Sequence, residues 1–202
     1  MAPSIVLGSS STFRRQILKE AGIECQLKSP NIDEKFVGVE LRQTNNAAAL
    51  VLAVSRAKAD ALIANCPNTI LITCDQVVVH NGVIREKPLS EAECRLFLES
   101  YAVAPAETWS GVYVINTRTG KCAMGVDVCT QHFKAIPSDV IERVVAKGQV
   151  MKCSGGFMID EPMLEPYLGQ IIGTPDSVIG MPVALLQTLL LTCQSTSASL
   201  DV

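Results

Sequence analysis

Apolar positions along the chain fall into two kinds of pattern, short β-branched runs and longer stretches at helical spacing. Ile5-Val6-Leu7 is an apolar run closed by Gly8, as a buried strand would be. Three serines and Thr12 follow, and Ser11 or Thr12 is placed to N-cap a helix ending near Gly22. Cys25 to Ser29 reads as a short strand stopped by Pro30, and Asn31 to Lys35 as a polar loop. Asn46 to Ala64 is alanine-rich and helical, with Pro67 just beyond its end. Thr69 to His80 (TILITCDQVVVH) is a long, mostly apolar strand, and Asn81-Gly82 is a hairpin turn that returns Val83 to Lys87. Ser90-Glu91-Ala92-Glu93 is a capping box opening a helix to about Tyr101. Thr108 to Asn116 and Lys121 to Phe133 are two long strands joined by T-R-T-G. Ser138 caps a helix through Val145, stopped by Gly148, and Pro182 to Thr192 is the closing helix.

Strand–helix alternation interrupted by long hairpins predicts an α/β protein with a mixed, twisted, elongated sheet flanked by helices, rather than a purely parallel one. The two long hairpin strands are expected along or beyond one edge, with a smaller lobe and a cleft between lobe and sheet. One domain is expected over residues 1–193, and the polar tail QSTSASLDV (194–202) is expected to be disordered.

The chain has 202 residues, 48% hydrophobic and 18% charged, ample for a large core. Its longest apolar candidate, Val183 to Cys193, falls short of the roughly 18–20 residues needed to cross a bilayer, so no membrane partner is expected. The start MAPSIVLGSS lacks a basic segment followed by an apolar one and does not read as a secretory signal. A net charge of −3 argues against a nucleic-acid polymer as partner. Eight scattered cysteines without a C-x-x-C pair, and only two histidines, give no zinc framework; reduced thiols in the cytoplasm are expected.

Candidate chemistry sits where the patterns are broken. Arg14 and Arg15 occupy the first turn of the first helix, where the positive dipole end ordinarily favours acids. A helix N-terminus with serine hydroxyls and guanidinium forks suits a phosphate, and a solvated basic face is the alternative. Asp75 interrupts a buried strand, where an unpaired carboxylate is costly. It either pairs with a cation or metal or opens to a cleft. Lys87 lies twelve residues on, and pairing across the Asn81-Gly82 turn would bring it back alongside Asp75. Carboxylate, lysine and arginines together fit hydrolysis of a phosphate ester or anhydride. Asp33 and Glu34 supply the further oxygens a divalent ion would need. No Walker A loop, G-x-G-x-x-G or G-x-S-x-G is present, and His132 reads as structural.

These pieces, in order, are S-x-S-x-x-R-R-x-x-L (Ser9 to Leu18), Asp75 in its apolar run, Lys87-Pro88, and Gly155-Gly156-Phe157. Over Leu7 to about Leu190 this resembles the Maf family, nucleoside triphosphate pyrophosphatases also called septum-formation-inhibitor-like proteins. The resemblance implies a homodimer and cleavage of a nucleotide's α–β phosphoanhydride to monophosphate and pyrophosphate, with Mg²⁺ or Mn²⁺ as cofactor. It implies Asp75 as general base and metal ligand, and Ser9, Ser11, Arg14, Arg15 and Lys87 as the phosphate-handling set. Asp33 or Glu34 is the implied cleft acid and metal ligand, and Arg56 stands where the family commonly has lysine. Two positions depart from the pattern. The frequent G-K-P is Glu86-Lys87-Pro88, which adds a charge able to alter metal or pH behaviour, and the usual proline before the arginines is Thr12.

Within the family, pyrimidine-preferring members resemble S-x-S-P-R-R-R/K with A-D-T and a late glutamine. Members similar to 7-methyl-GTP pyrophosphatase have an aromatic before the arginine pair, D-Q, and a late acid. Phe13, Asp75-Gln76 and Asp160-Glu161 side with the second group. A methylated guanine is cationic, so Phe13 can stack on it, and Asp160 or Glu161 can accept from the base edge. Phe13 as a plain core residue is the alternative. The implied substrate is 7-methyl-GTP, with dTTP and UTP, or a division regulator that binds nucleotides with little turnover, as the other readings.

Overall fold

The computed structural model describes residues 3–194. β1 (Ser4–Gly8) leads into α1 (Thr12–Glu20), the two-residue β2 (Gln26–Leu27), a 3-10 turn at Glu34–Phe36, α2 (Val39–Gln43) and α3 (Ala47–Asp60). After a 3-10 turn at Ile63–Asn65 come β3 (Thr69–His80), β4 (Val83–Arg85), α4 (Glu91–Ser100), β5 (Ala106–Asn116), β6 (Cys122–Phe133) and α5 (Ser138–Ala146). Further 3-10 turns, Ser154–Gly156 among them, lead to β7 (Leu168–Ile172), α6 (Pro175–Ile179) and α7 (Val183–Gln194).

The seven strands form one mixed sheet in the order β2-β1-β3-β5-β6-β7, with β4 added to β3. β1 runs parallel to β2 and β3, and every other pair is antiparallel. The long hairpin strands therefore lie inside the sheet, not at or beyond its edge: β5 pairs with β3 from Ile70↔Asn116 to Val79↔Glu107. A mostly apolar β3, buried along nearly its whole length, belongs between two neighbours.

The other edge of β3 is divided. β1 covers Thr69 to Thr73 and β4 covers Val78 to His80. Residues 74–77 face the gap between the end of one partner and the start of the next. That gap is the mouth of the cleft, and it is centred on Asp75 and Gln76.

Strand alternation sends Ile70, Ile72 and Cys74 to a core shared with α1 and α7. Leu71 and Val77 go to the opposite face, against α3. A separate core beyond the cleft gathers α4, α5 and the Phe157 loop around Val78. There Tyr101 stacks on Phe133 at 5.2 Å between ring centroids, and Phe157 meets both edge-on. This is the expected smaller lobe. α3 sits very close to the sheet, because a Cβ on Gly111 would lie 2.6 Å from the Val51 carbonyl carbon. Ser55 Oγ donates to the carbonyls of Val51 and Gly111, and Thr73 Oγ1 donates to the Ser55 carbonyl, which fixes the depth of the helix.

Ser138 is the first helical residue of α5 rather than its cap; Pro137 holds the cap position, without a side-chain cap bond. Among the described residues no helix is long and apolar enough to cross a membrane. Gln194 closes α7, and the rest of the expected disordered tail, 195–202, lies outside the described residues.

Candidate active site

The loop after β1 is organised by its own serines. Ser9 Oγ accepts from the Ser11 amide at 3.1 Å, and Ser11 Oγ caps α1 by accepting from the Arg14 amide at 3.3 Å. No acid occupies the first turn of the helix. Arg14 reaches across the gap, donating from Nε to the Gly180 carbonyl and from Nη1 to the Cys74 carbonyl, each at 2.9 Å. Its guanidinium is thereby fixed next to Asp75. Arg15 is exposed beside the same turn, and Phe13 is 39% exposed rather than sealed in the core.

The centre of the site is an ion triad. Lys58 of α3 is buried, and its Nζ bonds Asp75 Oδ1 at 2.8 Å and Glu34 Oε2 at 3.1 Å. It also lies 3.4 Å from the Cys74 carbonyl. Asp75 is thus paired, as a carboxylate in a buried strand must be, and it borders the cleft. Arg56, expected in the site, lies away from it: its side chain is 63% exposed and pairs with Asp60 on the outer surface of α3. Two residues along a helix turn by about 200°, so Arg56 and Lys58 cannot serve the same face. Lys58 is the lysine of this helix that reaches the site. Its signal in the sequence is a charge on the buried stripe of Leu50, Val51 and Val54.

Glu34, not Asp33, is the acid brought to Asp75. The Asp33 side chain caps the 3-10 turn, accepting from the Lys35 amide at 3.1 Å. Among the described residues no three of His, Cys, Asp and Glu gather around one point. Asp75 and Glu34 are two carboxylates sharing one ammonium. That set suits a Mg²⁺-like ion that takes its remaining oxygens from substrate phosphates and water.

Continuing the β3–β4 register past Val78↔Arg85 would set Lys87 opposite Gln76. The strand ends first. The Glu86 carbonyl accepts from the Gly155 amide at 3.0 Å, and Lys87 is left exposed at the rim. Ser154, which sequence reasoning did not single out, donates to the Gln76 carbonyl at 2.9 Å and closes the gap from the lobe side. Burial pushes the Cys153 thiol above its ordinary 9.0; nearby Asp160 adds to the rise, and Lys87 and Lys152 oppose it. Lys87 and Asp160 therefore flank the same loop.

The two late acids part company. Glu161 is buried and its carboxylate accepts from Lys147 Nζ at 2.7 Å and from the Met163 amide at 3.2 Å. Lys147, above all, holds its pKa below the ordinary 4.5. Asp160 is exposed, and both acids line a cavity of about 440 Å³ with Gln131 and Glu165. Gln76 is also engaged internally: its Nε2 donates to Ser110 Oγ at 3.1 Å and to the carbonyls of Ser177 and Val178. It holds the α6–α7 corner that presents the Gly180 carbonyl to Arg14.

Comparison with known proteins decides the family. The family profile described as Maf-like protein matches residues 4–193. The chain belongs to the Maf family. It is 39% identical to the 7-methyl-GTP pyrophosphatase of Dictyostelium discoideum, over 92% of this chain and 95% of that protein. It is 32% identical to a nucleoside triphosphate pyrophosphatase of Salinispora tropica, over 92% of this chain and 82% of that one. A 7-methyl-GTP pyrophosphatase of Alcanivorax borkumensis is 29% identical over 93% of each chain. As a Maf protein, the chain carries both carboxylates of its triad on elements the family match covers.

Proposed function

We propose that this Maf protein hydrolyses nucleoside triphosphates at the α–β phosphoanhydride, releasing monophosphate and pyrophosphate, and that 7-methyl-GTP is its favoured substrate. The observation that carries the reading is the Glu34–Lys58–Asp75 triad, set in the gap of β3 beside the Arg14 guanidinium. The names of the relatives at 39% and 29% identity support the choice of base.

In this reading the triphosphate lies along the α1 N-terminus. Free helix N–H groups and the half-buried Arg14 draw its oxygens in, and the exposed Arg15 and Lys87 close over them. Lys58 fixes Asp75 through Oδ1, and the second carboxylate oxygen takes a proton from the attacking water. The water oxygen bonds to the α-phosphorus as the α–β bridging P–O bond breaks, and the electron pair of that bond leaves on pyrophosphate. A divalent ion held by Asp75 and Glu34 would neutralise charge on the phosphate oxygens. Phe13 offers its open face to the methylated base, and Asp160, the late acid whose carboxylate stays open, accepts from the base edge. A cytoplasmic location and a homodimer go with this reading; free thiols at all eight cysteines support the first.

The test is pyrophosphate release from 7-methyl-GTP, GTP, dTTP, UTP, CTP and ITP with Mg²⁺ and with Mn²⁺. Preferential cleavage of 7-methyl-GTP is expected. Preference for pyrimidine nucleotides would retain the chemistry and refute the roles of Phe13 and Asp160. Tight binding without pyrophosphate from any of them would leave a regulator in place of an enzyme.

A further inference from the structure

The Arg42 guanidinium sits at the centre of a network that the reaction itself does not require. Nε and Nη2 fork onto the Glu86 carboxylate at 2.9 and 3.0 Å. Nη2 also donates to the Glu34 carbonyl at 3.1 Å, and Nη1 donates to the Val37 carbonyl. One side chain therefore grips both ends of the 3-10 turn that carries Glu34. Its other anchors are the Asp33 side-chain cap on the Lys35 amide, the Glu34–Lys58 ion pair and two backbone bonds, from the Phe36 amide to the Asp33 carbonyl at 3.3 Å and from the Val37 amide to the Glu34 carbonyl at 3.2 Å. The Glu86 bond, above all, raises the Arg42 pKa, and the charges of Glu86, Asp75 and Glu34 add to the rise.

Glu86 faces both walls of the cleft. Its side chain holds Arg42 and through it the Glu34 turn, while its backbone carbonyl holds Gly155 of the Ser154 loop. The Glu86 side chain is 47% exposed and that of Arg42 only 19%. An exposed lysine–carboxylate pair would be worth little. A bidentate fork with two further carbonyl acceptors is a different object, because it fixes geometry as well as charge.

We propose that the Arg42–Glu86 pair is a strap that positions Glu34 against Lys58 and Asp75, making Glu86 and Arg42 positioning residues for the hydrolysis. The proposal rests on the pyrophosphatase reading for its effect on rate, though not for its effect on the turn. In this role neither residue needs a contact with the nucleotide. Both act through the Glu34 carboxylate, and a loss of register at a reacting site costs rate steeply.

The experiment is a double-mutant cycle of Glu86→Ala and Glu34→Gln on pyrophosphate release, with amide hydrogen exchange of residues 34–43 alongside. Glu86→Ala should lower kcat/KM about tenfold in wild type but less than about twofold once Glu34→Gln is present, since the strap then has nothing to position. Arg42→Lys should not rescue, because an ammonium cannot span the carboxylate and two carbonyls. Glu86→Ala should also speed exchange at the Phe36 and Val37 amides while leaving β3 protected. Additive effects on rate would overturn the positioning role. Unchanged exchange at 34–43 would overturn the strap itself, and that result can be read even from a protein that releases no pyrophosphate. Full protection of β3 shows that the variant is folded.

Discussion

Replacing Lys58 with methionine keeps the aliphatic stem in its slot against β3 and removes only the ammonium. The side chain of Lys58 is 6% exposed and that of Asp75 13%, so the substitution strands a carboxylate largely out of water. Removing one partner of a buried ion pair costs about 3–5 kcal/mol, most of it the penalty of the charge left behind. Arg14 lies on the neighbouring Cys74 carbonyl and Asp75 borders the cleft, both of which relieve that charge. The lower end applies, about 3 kcal/mol at neutral pH. At about 2–4 °C per kcal/mol for a chain of this size, Tm should fall by about 6–12 °C. The second half of the cycle is the discriminating one. Asp75→Asn added to Lys58→Met removes the stranded charge and should recover at least about half of the loss. Urea unfolding of the wild type, both single variants and the double variant measures all four corners. A Lys58→Met cost below about 1 kcal/mol, or a double variant no more stable than Lys58→Met, would refute a buried pair as the organiser of the site.

Arg56→Ala, by contrast, removes an exposed i,i+4 pair with Asp60 and should change stability by less than about 0.5 kcal/mol and pyrophosphate release by less than about twofold. Gly111→Ala forces a Cβ onto the Val51 backbone, which cannot yield as a side-chain tip could, so α3 must lift; a loss of about 1–3 kcal/mol in denaturant unfolding is expected, with slower turnover as Lys58 moves off Asp75. Glu161 has a folded pKa held below its ordinary 4.5 by Lys147, so its contribution to stability is complete above that value and fades as pH falls below it. Wild type and Glu161→Gln should therefore differ in Tm at pH 7 and converge only once pH has fallen through the lowered folded pKa, and a gap that persists in still stronger acid would assign the difference to packing.

The sheet was legible in the sequence wherever local chemistry agreed with tertiary need. The apolar run of β3, with Asn81 and Gly82 both at positive φ in the turn that follows, declares a hairpin without reference to anything distant. The Asn46 cap and alanine-rich body of α3 are equally local. β7 and α6 were harder. Leu168 to Ile172 is too short to show a period, although Thr174-Pro175 is a helix start that could have been read. Asp75 stood out because a carboxylate in a buried strand must be accounted for. Lys58 is marked only by the helical face on which it lies, beside an alanine-rich run in which Arg56 is an equally placed charge in sequence. Arg42 and Glu86 lie 44 residues apart, and no periodicity or spacing joins them. Only folding brings that pair together, as it does Arg14 and Gly180.

The central claim is that Asp75, held by Lys58 in the gap of β3, acts on the water that splits the anhydride. Pyrophosphate release from 7-methyl-GTP by Asp75→Asn, measured against wild type at saturating divalent ion, tests it most directly, with nucleotide binding followed by calorimetry. The account predicts a loss in kcat of at least about a hundredfold with binding retained, within the range for removing a general base. An Asp75→Asn protein that turns over as fast as wild type would contradict it.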